Sequence, residues 1–109
     1  MSYNVYTIPP FDKQLKRLAK KYHSLKNEYA KLIYDLENNP VKGKALANNC
    51  YKIRLAIASK GKGKSSGARV ITHFVVSEGA VYLLSIYDKS DKNSISDNEL
   101  LELLKHVKL

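Results

Sequence analysis

The sequence predicts an α+β fold: a small antiparallel sheet with two N-terminal helices packed on one face, in the order β-α-α-β-β-β-α. Three observations predict it. Apolar residues recur at helical spacing from Phe11 to Leu36, with a short joint near Ser24. From Tyr51 onward the hydrophobic period changes from 3.6 to 2. The strand-like segments then succeed one another, and little chain is left for parallel crossovers.

Each element has its own justification. Residues 3–8, YNVYTI, read as a strand closed by Pro9-Pro10, and prolines open a helix comfortably because its first N–H groups need no partner. The first helix carries Phe11, Leu15, Leu18, Ala19 and Tyr22 as its apolar stripe, with Lys13, Lys16, Arg17, Lys20 and Lys21 elsewhere. Ser24 is the expected N-cap of a second helix with Leu25, Tyr29, Leu32, Ile33 and Leu36, which ends at Asn38-Asn39-Pro40. In residues 51–58, YKIRLAIA, Tyr51, Ile53, Leu55 and Ile57 point one way, and Lys52, Arg54, Ala56 and Ala58 the other. Residues 68–76, ARVITHFVV, are rich in β-branched side chains. Residues 81–87, VYLLSIY, are apolar on both faces and read as an interior strand. Ser96 is the expected N-cap of a last helix through Leu100, Leu101, Leu104 and Val107.

The helices should cover the apolar face of this sheet. The other face then displays Lys52 and Arg54, joined by Arg69 and His73 if strand pairing brings their shared parity to that side. Ile71 lies between the latter two, either under the last helix or available to a base.

With 109 residues and 44% hydrophobic content, the chain suits one domain spanning 1–109 with a modest core. The first residues lack the charged start and apolar run of a signal peptide, and no stretch approaches a membrane span of roughly 18 apolar residues. A cytoplasmic protein without membrane contact is expected. The single cysteine, Cys50, cannot form an internal disulfide and reads as a buried, inert thiol. No Cys/His cluster has metal-ligand spacing, so neither a metal nor another cofactor is expected.

Charge is more informative. The formal net charge is +9, unevenly spread: residues 1–77 hold fifteen Lys/Arg against four Asp/Glu, and residues 78–109 four against six. Between Glu37 and Glu78 there is no acid, while Lys42, Lys44, Lys52, Arg54, Lys60, Lys62, Lys64 and Arg69 fall there. Such a one-signed field attracts a polyanion, and nucleic acid is the partner it implies.

Residues 58–65, ASKGKGKS, fit a relaxed phosphate-binding P-loop. That loop works when a helix begins at once and aims its N–H groups at the phosphates. Here a strand follows, and the preceding strand alternates apolar with basic residues. Nucleotide hydrolysis is therefore disfavoured. Lys60, Lys62 and Lys64 read instead as hairpin lysines able to reach a phosphodiester backbone, together with Lys42 and Lys44; a merely solvated loop is the plain alternative.

The stretch Cys50-Tyr-Lys-Ile-Arg-Leu55, the hairpin ending Gly67-Ala-Arg69-Val-Ile71 and the strand VYLLSIYDK together resemble the RelE/ParE superfamily of bacterial toxins. The Gly-Lys-Ser-Ser-Gly hairpin and the ending Leu-Leu-Ser-Ile-Tyr-Asp-Lys are most similar to its RelE/HigB-like branch. The resemblance implies a toxin of a type II toxin–antitoxin system, a ribosome-dependent mRNA endonuclease that cuts the A-site codon and inhibits translation. Its implied partners are message in the A site, the 16S rRNA of the 30S subunit and a cognate antitoxin. By position, Lys52 and Arg54 match the strand basics that contact RNA and assist proton transfer. Arg69 matches the arginine that stabilises the scissile phosphate, and Lys89 stands where RelE-like members have another arginine. The stacking tyrosine of those members falls near Ile95, so that role is empty here or passes to Tyr87.

The chemistry asks for the same residue types. Cleavage by the neighbouring 2′-OH needs a base for that hydroxyl, positive donors on the phosphorane and an acid for the leaving oxygen. Arg69 offers a planar fork of donors, and Lys52 among cations can approach a base role. His73 would serve as acid or base, or is structural; Tyr87 would stack on a base, or fills the sheet. Two other functions stay open: a ParE-like DNA gyrase poison and a catalytically inactive basic RNA-binding module.

Overall fold

The computed structural model describes residues 2–61 and 66–107. Strand β1 (Asn4–Thr7) leads into helix α1 (Pro9–Lys21), with its two prolines in the first turn. Helix α2 (Leu25–Asn38) follows after a short joint. Phe11 and Leu18 of α1, and Leu25, Leu32 and Leu36 of α2, fall at helical spacing and are buried. Burying each such large apolar side chain contributes about 1.5–3 kcal/mol. Lys13, Lys16, Arg17, Lys20 and Lys21 remain exposed on α1.

Ser24, the expected cap of α2, makes no capping hydrogen bond with its side chain. Its hydroxyl accepts the Ser59 N–H at 2.9 Å and donates to Glu28 Oε1 at 3.1 Å, while Glu28 Oε2 accepts the Ala58 N–H at 2.5 Å. The one-turn 3-10 segment Ala58–Lys60 brings its own N–H groups to the start of α2, where Ser59 takes the hydroxyl oxygen that capping would have used and Ala58 takes the Glu28 carboxylate.

The sheet continues with β2 (Lys44–Ala45), β3 (Cys50–Leu55), β4 (Ala68–Val75) and β5 (Ala80–Asp88), in the spatial order β1-β5-β4-β3-β2. Strand β5 is interior, as its two-sided apolar sequence predicts. The β2–β3, β3–β4 and β4–β5 pairs are antiparallel, whereas β1 runs parallel to β5. The intervening helices carry the chain back across the sheet, so β1 and β5 can run in the same direction. The two-residue β2 is an addition to the expected strands.

Register decides which side chains share a face. Ile53 pairs with Val70 and Val70 with Ile86, and this row is buried on the side of α1 and α2. In β5 the pairing shifts from Ile71–Ser85 to Thr72–Leu83, which leaves Leu84 as an extra residue. That bulge reverses the alternation along β5. Leu83 and Ile86 therefore face the helical hairpin, and Tyr82, Ser85 and Tyr87 face the other way.

Helix α3 (Asp97–Leu104) begins at the expected cap. The Ser96 hydroxyl accepts the Glu99 N–H at 3.1 Å, and Glu99 Oε1 accepts the Ser96 N–H at 3.2 Å. Ile95 and Leu103 share a cleft with Ser85, and Leu100 is buried. The helix thus lies on the face opposite α1 and α2. Ile71 pairs with Ser85 on that face and is wholly buried, which places it under α3 rather than open to a base.

Candidate active site

The second face carries the site. Arg54 pairs with Arg69 and Arg69 with Tyr87, so three strands contribute to one cross-strand row. Directly opposed residues have Cβ atoms roughly 4.5–5.5 Å apart. One step along the same face Lys52 opposes Ile71, and on its other side it opposes Lys44 of β2. Lys89 follows β5; its N–H bonds to Gly67 O at 3.0 Å and its Nζ to Asn93 Oδ1 at 2.6 Å. Burial is the largest cause pushing the Lys52 amine below the ordinary lysine range, and the charges of Lys44, Arg69, Arg54 and Lys89 push the same way. Four cations from separate parts of the chain thus converge on a fifth.

Two glycines make the approach of these segments possible. At Gly43 the backbone has φ +102°, and a Cβ there would lie 2.5 Å from Lys52 O. Only glycine lets the basic segment Lys42–Lys44 lie so close to β3. Lys42, Lys44, Lys52 and Arg54 line an open cleft of about 400 Å³ there, and Lys42 also pairs with Asp35 at 3.4 Å. At Gly67 a Cβ would meet Leu55 O at 2.1 Å, so a side chain would force the start of β4 away from β3.

Arg54 is exposed but Arg69 is only 4% exposed, with Nη1 donating to Ala68 O at 3.2 Å. Tyr87 is 7% exposed, its ring lies 5.4 Å beneath Lys92 Nζ, and its buried hydroxyl has no hydrogen-bond partner among the described residues. Burial raises the Tyr87 pKa, Arg69 opposes the shift and Glu99 adds to it. The start of α3 therefore stands close to the tyrosine end of the row.

Residues 11–108 match the family described as the RelE toxin of the RelE/RelB toxin–antitoxin system. The chain belongs to the RelE toxin family. In the solved structures, a free double arginine-to-alanine mutant of E. coli toxin RelE superposes with a TM-score of 0.62 at 17% identity, covering 99% of this chain and 100% of that one. A chain of the intact E. coli RelBE toxin–antitoxin complex gives 0.60 at 17% identity, covering 80% and 96%. A chain of the RelBE2 complex from Mycobacterium tuberculosis gives 0.60 at 16%, covering 81% and 99%. These likenesses are likenesses of fold.

Within this RelE fold, other expected site residues fall elsewhere. His73 opposes Cys50, with Nδ1 3.6 Å from Sγ, and stands about 13 Å along the strand from Arg69. It is on the basic face but outside the cation cluster. Burial pushes the Cys50 thiol up to about 11, as an inert cysteine requires. Lys60 turns inward: its Nζ is 2.5 Å from Asp88 Oδ1 and 2.5 Å from Ser66 O, and the side chain is 12% exposed. Lys62 and Lys64 lie outside the described residues. Among the described residues the next regular element is the strand β4 rather than a long helix, whereas a P-loop needs a helix directly after it.

Sequence reasoning missed the group that organises this end of the site. Asp88 is 2% exposed, and besides Lys60 it accepts the Tyr22 hydroxyl at 2.6 Å, the Ser90 N–H at 2.9 Å and the Ser90 hydroxyl at 2.6 Å. Burial alone would raise its pKa; the hydrogen bonds from Lys60, Ser90 and Tyr22 outweigh it and hold the carboxyl well below the usual range. The available signal was an acid closing an apolar strand immediately before a basic residue.

Proposed function

We propose that this toxin is a ribosome-dependent mRNA endonuclease, an mRNA interferase that cuts message in the ribosomal A site and so stops translation. The observation that supports this reading best is the strand register that sets Lys44 against Lys52 and Arg54 against Arg69 on one face, with Lys89 just beyond the paired end of β5. Such a cluster is costly in a folded protein and useful where a dianionic phosphorane has to be held.

In this reading the 2′-OH of one nucleotide attacks the adjoining phosphorus. The P–O5′ bond breaks and a 2′,3′-cyclic phosphate forms. Lys52, whose neutral form its neighbours favour, takes the 2′ proton. Arg54 and Arg69 donate to the non-bridging oxygens through their forks, and the Lys89 ammonium supplies the proton to the departing 5′ oxygen. Tyr87, buried beneath Lys92, backs the row as packing rather than as a stacking platform, and Lys42 and Lys44 guide the strand in. No step draws on a metal or other cofactor. Like the relatives solved as toxin–antitoxin complexes, the toxin would be held silent by a cognate antitoxin. An acidic or amphipathic antitoxin segment laid over the basic face suits its charge.

The test is primer extension on message incubated with translating ribosomes and purified toxin. Cuts within the A-site codon are expected. Arg54→Ala, which changes an exposed side chain, should slow cleavage roughly 10²–10³-fold, and Arg69→Ala should abolish it. Intact message would reject the reading; inhibited gyrase supercoiling with intact translation would replace it by a gyrase poison.

A further inference from the structure

Strand β1 pairs with β5 only from Ala80 to Leu83, so past Leu83 the outer edge of β5 has no neighbouring strand among the described residues. The bulge at Leu84 falls just there. A bulge breaks the ladder, and a buried N–H left without a partner is costly. Gln14 of α1 fills that place. Its Oε1 accepts the Ile86 N–H at 3.0 Å and the Ser85 hydroxyl at 3.1 Å. Because an N–H only donates, the atom facing it is the amide oxygen. Gln14 and Ser85 line one cleft with Ile95 and Leu103, so this side chain reaches from α1 round the open edge of β5 towards α3. Everything beyond the bulge takes its facing from it. Tyr87 opposes Arg69, Asp88 opposes Ala68, and the Lys89 N–H reaches Gly67 O at 3.0 Å. Paired without the extra residue, Arg69 would meet Ile86, Tyr87 would turn to the helical hairpin and Lys89 would shift by about 3.3 Å.

We propose that Gln14, through this one oxygen, locks the bulge of β5 and is thereby a positioning residue for cleavage. In one respect this rests on the proposed function, in which Arg69 holds the phosphorane and Lys89 protonates the departing 5′ oxygen. Gln14 acts on neither directly. It fixes the strand end that sets Tyr87 against Arg69 and brings Lys89 to the cluster.

Single-turnover cleavage of message on translating ribosomes, measured beside amide hydrogen exchange, tests this. Gln14→Met keeps the length and helix propensity of the side chain and removes the acceptor. It should lower the cleavage rate about 10- to 100-fold, the cost of a misplacement of about 1 Å. Binding of a short single-stranded 2′-O-methylated RNA, which has no 2′-OH nucleophile, should stay within about twofold, because no cation is lost. Exchange should quicken at Ile86, which loses its partner, and also at Lys89, whose own partner is Gly67. Gln14→Glu is ionised at neutral pH and keeps an acceptor, so it should restore both the rate and the protection of Lys89. Leu15→Ala removes core packing from the same helix; it should lower the melting temperature and leave the rate of the folded protein within about twofold. A Gln14→Met protein that cuts at the wild-type rate would overturn the proposal. So would equal losses in Gln14→Met and Gln14→Glu, or a Leu15→Ala protein slowed as much as Gln14→Met. If the wild-type protein cuts no message, the nuclease reading falls and exchange alone decides. Lys89 protection lost in Gln14→Met and kept in Gln14→Glu then upholds the lock on the bulge, and protection equal in all three proteins overturns it.

Discussion

Lys52 carries a charge that its surroundings disfavour, through burial first and then through Lys44, Arg69, Arg54 and Lys89. Because its pKa is lowered from the ordinary 10.5, the neutral amine is populated at lower pH than in a free lysine. A rate that needs the neutral amine therefore rises with pH, and its midpoint lies below 10.5. Lys52→Arg keeps the positive charge and removes the titration. It should lower the cleavage rate by roughly 10²–10⁴-fold, flatten that limb of the pH profile and leave RNA affinity nearly unchanged. Single-turnover rates across pH, measured beside anisotropy, check all three outcomes. The place of Lys52 and Arg54 on one face was legible from parity alone. The union of Arg69 with them depended on a register that the sequence left open, and the position of Tyr87 depended on a bulge at Leu84 that no alternation could reveal. Lys60 was illegible for a different reason: its partner Asp88 is distant in sequence, so a loop lysine looked free.

At the scale of elements, Asp88 ties together three pieces of the fold: the end of α1 through Tyr22, the 3-10 turn through Lys60, and the end of β5 itself. Its pKa is depressed in the folded state, so its contribution to stability is complete above the ordinary aspartate value of 3.8. It is lost as pH falls below about 4, through the depressed folded pKa. Asp88→Asn should cost about 3–5 kcal/mol at neutral pH, because the buried Lys60 ammonium loses its counter-ion. The variant should also show a shallower acid limb than the wild type; urea denaturation at several pH values measures both. An acid limb of the same slope in wild type and variant would mean that other carboxyls govern it. The helical hairpin, the three main strands and the Ser96 cap were legible because each follows local periodicity or capping chemistry. Ser24 was misleading because a distant turn outbid the local role of its hydroxyl, and β2 because two residues carry no period.

For the whole molecule the uneven charge becomes a geometric fact. The acid-free stretch between Glu37 and Glu78 supplies β2, β3 and β4, so the positive field is gathered at the β2 side of the sheet and over the cluster. The six acids of residues 78–109 lie on or near β5 and α3, and several are spent on cations nearby: Asp88 on Lys60, Glu99 on Lys92, Glu102 on Lys105. A field focused in this way predicts unequal effects from equal charge changes. Each cation that contacts a single strand steepens the dependence of log affinity on log salt by about 0.7. Lys44→Ala should therefore shallow the slope for single-stranded RNA by about 0.7. Lys105→Ala, remote from β2 and already paired with Glu102, should change it by less than about 0.3. Anisotropy titrations over a range of salt concentrations give the slopes. Equal changes per charge at both places would mean that RNA reads only the net +9, and that the cleft beside Lys52 offers the strand no preferred path.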